Sequence, residues 1–100
     1  MAKKIFVMLT KTPFGNDEDK VRLGRAVKDD VVVFSQDSIL GFSNSESEIS
    51  KLVRTKLAEG VRIYASEPDC VARGVMPIEG VKLVGYPEQV DLLCECDLSY

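Results

Sequence analysis

Val31-Val32-Val33-Phe34-Ser35-Gln36-Asp37-Ser38 decides the fold of this chain. Four consecutive apolar residues, three of them β-branched, read as a strand with no polar face. A strand of that kind is buried on both sides, which is the habit of parallel sheets covered by helices. The polar run Ser35-Gln36-Asp37-Ser38 then marks the strand's carboxyl end.

Upstream, Lys4-Ile5-Phe6-Val7-Met8-Leu9-Thr10 is a second run of the same kind. Thr12-Pro13-Phe14-Gly15 breaks it, and Asn16 is placed to cap a helix with Asp17, Glu18 and Asp19 in its first turn, where the helix dipole favours acids. That helix is expected to reach about Lys28, ahead of a turn at Asp29-Asp30. Downstream, a short helix or turn is expected through Ile39-Leu40-Gly41-Phe42 and a polar loop over Ser43 to Ser47. Ser45 with Glu48 fits a capping box. Ile49, Leu52, Val53 and Leu57 recur at helical spacing, and Gly60 ends the helix.

Val61 to Ala65 is a third strand, followed by a short helix capped by Ser66 with Asp69 and stopped at Gly74. Val81 to Val84 is a fourth strand, and Pro87 suits the start of a last helix. Val90, Leu93 and Cys94 are expected to form that helix's buried face. Asp97-Leu98-Ser99-Tyr100 reads as a final short strand or an ordered end. Strands alternating with helices predict an α/β three-layer sandwich over residues 1–100 as a single domain. Its sheet is mainly parallel, with four to five strands and helices on both faces. Ligands of such sheets bind outside the carboxyl ends of the strands. Those ends are Thr10-Lys11-Thr12, Ser35-Gln36-Asp37, Ala65-Ser66-Glu67 and Val84-Gly85-Tyr86.

Composition narrows the chemistry. The net charge is −3 and no Lys/Arg cluster extends beyond Lys3-Lys4, so direct nucleic-acid binding by this chain alone is not expected. Apolar runs of about five residues are too short for a membrane span. No signal-peptide layout is read at the start, and three cysteines form no even disulfide framework and suit a reducing, cytoplasmic setting. Histidine is absent, which removes Cys-His dyads and most zinc sites. Neither G-x-G-x-x-G nor a P-loop occurs, so no cofactor and no metal is expected.

Cys70 is the leading candidate for chemistry. It lies about one turn into a helix that starts at a strand's carboxyl end, with Arg73 three residues on. A helix N-terminus and a guanidinium lower a thiol's pKa, whereas the neighbours Glu67 and Asp69 raise it. A buried core cysteine is the plainer alternative. Cys94-Glu95-Cys96 has no redox C-x-x-C spacing and reads as structural. Asp37 is placed to cap the following turn or to bind a partner. Arg73 suits either an anion or the helix dipole. Lys11, Ser35, Gln36, Ser66 and Tyr86 complete the predicted cleft.

Three stretches resemble a known family. Val31 to Ile39 looks like the strand and "QDGV" segment of DsrH/TusB-type proteins. Ile63 to Val75, with its Ala72-Arg73-Gly74, looks like their "ARG" segment, and Gly80 to Leu92 like their closing strand and helix. In this order they resemble the DsrE/DsrF/DsrH-like sulfur-relay family, closest to its DsrH/TusB branch. The resemblance implies a small cytoplasmic α/β subunit of a homo- or hetero-oligomer. Such complexes pass persulfide sulfur toward tRNA wobble-uridine 2-thiolation or serve sulfur oxidation. The family's DsrE branch carries sulfur on a cysteine just past the third strand, and that place falls near Ser66 here. The DsrH branch has an early cysteine after the first strand, where Thr10 to Asn16 holds none. The expectation is therefore an accessory, non-catalytic subunit packed against DsrE/DsrF (TusD/TusC)-like partners or copies of itself. Alternatives are a sulfurtransferase with its persulfide on Cys70, and a stand-alone homo-oligomeric binding module. Leu40, Phe42 and Val75-Met76 are the expected contact patch.

Overall fold

A computed structural model of the chain describes residues 4–11, 18–44 and 46–99. Five strands form one sheet: β1 (Ile5–Leu9), β2 (Val31–Phe34), β3 (Arg62–Ser66), β4 (Lys82–Val84) and β5 (Leu98–Ser99). The helices are α1 (Glu18–Arg25), α2 (Glu48–Ala58), α3 (Glu67–Arg73) and α4 (Tyr86–Glu95), with a 3-10 helix over Gln36–Ser43. The strand order is β4-β3-β2-β1-β5 and every pairing is parallel. The register sets Val32 beside Val7 on one side and Ile63 on the other.

Alternation along the strands builds two cores. Val7, Leu9, Val32, Phe34, Ile63 and Ala65 point to one face, where they meet Leu23 and Ala26 at α1, Ile49 and Val53 of α2, and Cys70 of α3. The Phe34 and Phe42 rings tilt against each other at 4.7 Å. Phe6, Val31, Val33 and Val84 point to the other face, where Leu92 of α4 covers them. The reason is chirality. Connections between parallel strands are right-handed, so the three crossovers that step from β1 to β4 share a face. The last connection steps back to β5 beyond β1, and it lays α4 on the opposite face.

Local sequence explains most boundaries. Ser47 caps α2 by accepting the Ser50 N–H at 3.1 Å. The expected Ser45 and Asn16 caps lie outside the described residues. Gly74 ends α3 in the left-handed region at φ 63°, which suits glycine because it lacks a Cβ. Asp30 is buried rather than exposed in a turn. Its carboxylate accepts the Ile5 N–H at 3.1 Å and the Val27 N–H at 3.0 Å, tying α1's exit to the start of β1. Arg62 of β3 donates to Glu95 of α4 and to the Tyr64 hydroxyl, both at 3.1 Å. These contacts hold the guanidinium above its ordinary pKa, the Tyr64 hydrogen bond being the main cause.

Two expectations are corrected. Val90 is 57% exposed, Leu93 is 42% exposed, and Cys94 is exposed as well. The face that α4 buries carries Gln89 and Leu92 instead. Phe42 is likewise a core residue rather than a contact residue, and Val75 packs partly against that core.

Gly74→Ala meets open space but keeps the left-handed backbone. We expect it to cost roughly 1–2 kcal/mol, read as a lower midpoint in urea with an unchanged slope.

Candidate functional site at the carboxyl edge of the sheet

Parallel strands deliver all their carboxyl ends to one edge. Along it stand Tyr86 past β4, Ser66 at the end of β3, Ser35-Gln36-Asp37 past β2 and Lys11 past β1. Tyr86 and Lys11 are three strand spacings apart, roughly 14 Å, so they flank the row. Between β3 and β4 the connections diverge, α3 leaving to one face and α4 to the other. That divergence is the topological switch point, where open α/β sheets form their crevice.

The middle of the row is knitted together. The Ser35 N–H donates to the Leu9 carbonyl at 2.9 Å, extending the β1–β2 ladder. Ser38 Oγ accepts the same N–H at 2.9 Å and lies 2.7 Å from both the Leu9 and Ser35 carbonyls. Both serines are buried. Gln36 is exposed and holds φ 51°, a left-handed conformation that costs a non-glycine residue about 1–2 kcal/mol. Asp37 does not cap the 3-10 helix. It accepts from Arg73 at 3.1 Å, and Arg73 also reaches Asp69 at 3.4 Å. Residues 36 positions apart thus join the segment past β2 to the last turn of α3. Lys11 pairs with Glu18 at 2.6 Å on the surface, and this holds the Glu18 carboxyl below its ordinary pKa.

Cys70 sits beneath this network. It is 1% exposed and belongs to the core under α3. Burial pushes its thiol up, Asp69 adds to the rise, Arg73 opposes it, and Glu67 adds a further rise. The acids and the desolvation outweigh the guanidinium. Cys96 is half-buried on the α4 side and is also pushed up, chiefly by burial. Cys94 faces solvent.

Ser66 and Gln89 stand apart from the paired groups. Ser66 is the N-cap residue of α3, yet its side chain makes no cap hydrogen bond. The Ser66 Oγ and Gln89 Nε2 atoms are buried and have no hydrogen-bond partner among the described residues. Ser66 follows Tyr64 in alternation and so points to the α4 face, and its β4 partner is Val84. Gln89 belongs to the second turn of α4 and is buried toward that face. The sequence reading passed over Gln89. The available signal was its i−3 spacing from Leu92, which puts both on one side of the helix.

No group of three His, Cys, Asp or Glu side chains suited to a metal ion occurs among the described residues. No helix among them is long and apolar enough to cross a membrane.

Fold and edge together define a small α/β domain with a five-stranded parallel sheet and a polar carboxyl edge. The family model described as "DsrH like protein" matches residues 11–98, and the chain belongs to the DsrH-like family, a group tied to sulfur relay. The solved structure titled "Crystal structure of ychN protein from E.coli" superposes with a TM-score of 0.83 at 16% identity, covering 98% of this chain and 97% of that one. That likeness speaks for the fold. No curated protein matches the sequence.

Three outcomes are expected. Under native conditions an alkylating reagent labels Cys94 first, Cys96 more slowly and Cys70 only on unfolding, read by peptide mapping. The raised thiols also set a pH dependence. Between the unfolded and folded thiol pKa values the native state holds more protons than the unfolded one, so stability falls as pH rises. The loss begins near the ordinary thiol pKa of about 8.5. Urea midpoints from pH 7.5 to 10 should decline less in Cys70→Ala than in the parent chain. Ser66→Ala should leave stability unchanged or raise it by about 1 kcal/mol, because it removes a buried hydroxyl that has no partner.

Proposed function

We propose that this chain is an accessory, non-catalytic subunit of a cytoplasmic sulfur-relay complex. It packs against DsrE- and DsrF-like (TusD- and TusC-like) subunits. The complex is of the type that serves tRNA wobble-uridine 2-thiolation or sulfur oxidation. The observation that carries this reading is Ser66. It occupies the end of β3, where related carrier subunits hold their sulfur on a cysteine, and a serine hydroxyl holds no persulfide. The nearest thiol along the chain, Cys70, is buried and held protonated, whereas sulfur transfer needs an accessible thiolate.

The outer face of α4 supports a role in assembly. Tyr86, Val90 and Leu93 recur at i, i+4 and i+7 and are all exposed, Tyr86 at 58%. Together they make an apolar stripe on a single helix face of the kind that marks protein–protein contact. The charge of −3 gives this chain no electrostatic footprint for RNA, so tRNA would be met by partner subunits.

The test is intact-mass spectrometry after incubation with a persulfide donor, with a DsrE-type subunit as positive control. The accessory reading expects no reducible gain of sulfur on this chain. A gain that maps to Cys70 and disappears in Cys70→Ser would make the chain a carrier and overturn it. For assembly, Val90→Glu with Leu93→Glu should abolish co-elution with DsrE- and DsrF-type subunits and leave the thermal midpoint within a few degrees. Undiminished co-elution would remove α4 from the interface.

A further inference from the structure

A cavity of about 340 Å³ opens between α1 and β1, on the face away from α4. It is lined by Ile5, Val7, Arg22, Arg25, Ala26 and Asp30. Its origin lies in the strand order. β5 extends the sheet past β1 by only two residues, and every helix on this face follows β1, β2 or β3. Ile5 accordingly stays half-buried, whereas Val7 and Leu9 further along the same strand are buried.

The chemistry of the walls is mixed in a defined way. Ile5, Val7 and Ala26 supply an apolar floor. Arg22 and Arg25 lie three residues apart on α1 and so share one side of it. Arg25 is exposed and has no ion pair or hydrogen bond among the described residues. Among the described residues, Asp30 brings the one carboxylate of the lining. Both of its oxygens already accept backbone N–H groups, from Ile5 and Val27. Arg25 therefore offers a guanidinium with no internal partner among the described residues, and a guanidinium fork suits a carboxylate bidentately. The volume lies at the lower end of the roughly 300–1,000 Å³ range of small-molecule pockets.

We propose that this cavity binds a small amphipathic anion, with the apolar chain on Ile5, Val7 and Ala26 and the carboxylate on Arg25. The site lies away from the carboxyl edge and does not depend on the sulfur-relay reading. Octanoate, below its micelle concentration, is the probe. Its dissociation constant should be on the order of a millimolar or tighter for a ligand of this size.

The experiment is a heteronuclear NMR titration of the full chain with octanoate, octanol and octylammonium. Saturable shifts centred on Ile5, Val7 and Ala26 are expected, with octanoate binding at least about tenfold tighter than octanol. Arg25→Ala should weaken octanoate to the octanol level and leave octanol unchanged. Arg25→Glu should transfer the preference to octylammonium. Arg25 is exposed, and an unaltered melting curve confirms that both variants fold. The proposal fails if octanoate shows no saturable binding, if octanoate and octanol bind alike, if Arg25→Ala binds octanoate as the parent chain does, or if the shifts map to α4.

Discussion

Everything else in this molecule depends on β2. Its four residues are buried on both faces and it is paired along its whole length with β1 and β3. A strand in that position has no solvent side, so the chain must supply cover above and below, and the handedness of the crossovers dictates where each helix goes. Three connections in one direction place α1, α2 and α3 together. One connection in the reverse direction sends α4 to the other face alone. The same reversal creates the divergence between β3 and β4, so the position of the crevice follows from topology before any side chain is considered.

Polar groups along the carboxyl edge are largely engaged with each other. Ser35 and Ser38 fasten the ends of β1 and β2, while Asp37, Arg73 and Asp69 fasten β2 to α3. Buried serines that hold backbone carbonyls satisfy a demand that folding itself creates. Among the described residues, Ser66 and Gln89 carry the buried side-chain atoms without a partner, and both lie toward the face that α4 covers. Structure thus separates side chains that hold the edge together from side chains that do not, a distinction that strand-end position alone does not make.

Much of the fold was legible in local sequence. Val31 to Phe34 is a continuous apolar run and Val61 to Ala65 is apolar apart from Arg62; both have turn residues after them, and those are short-range signals. The glycines at 60 and 74 ended their helices for a reason any helix shares. Other features depend on what a helix packs against. Apolar residues occupy both sides of α4, Leu92 and Cys96 on one and Tyr86, Val90 and Leu93 on the other. Hydrophobic spacing therefore picked Val90, Leu93 and Cys94, and the sheet buries the side with Leu92 instead. Asp37 offered a cap by its sequence position but found Arg73 across the fold. Ser66 had a cap's position without its hydrogen bond. Cys70 drew opposing influences from its neighbours, and the deciding one, desolvation, is absent from any reading of adjacent residues.

The lone position of α4 also divides the molecule dynamically. β1 to β3 share broad ladders and a core sealed by three helices, whereas α4 and the two-residue β5 form a terminal unit joined to the sheet through a small cluster. Cooperative units of unequal stability open independently, the weakest first. Lifting α4 and β5 away would uncover Phe6, Val31 and Val33 and solvate Gln89, while the opposite core stayed closed. If a subunit docks on the outer stripe of α4, as proposed, it holds that unit shut, and the docking face is then also the part of the fold that gains most order.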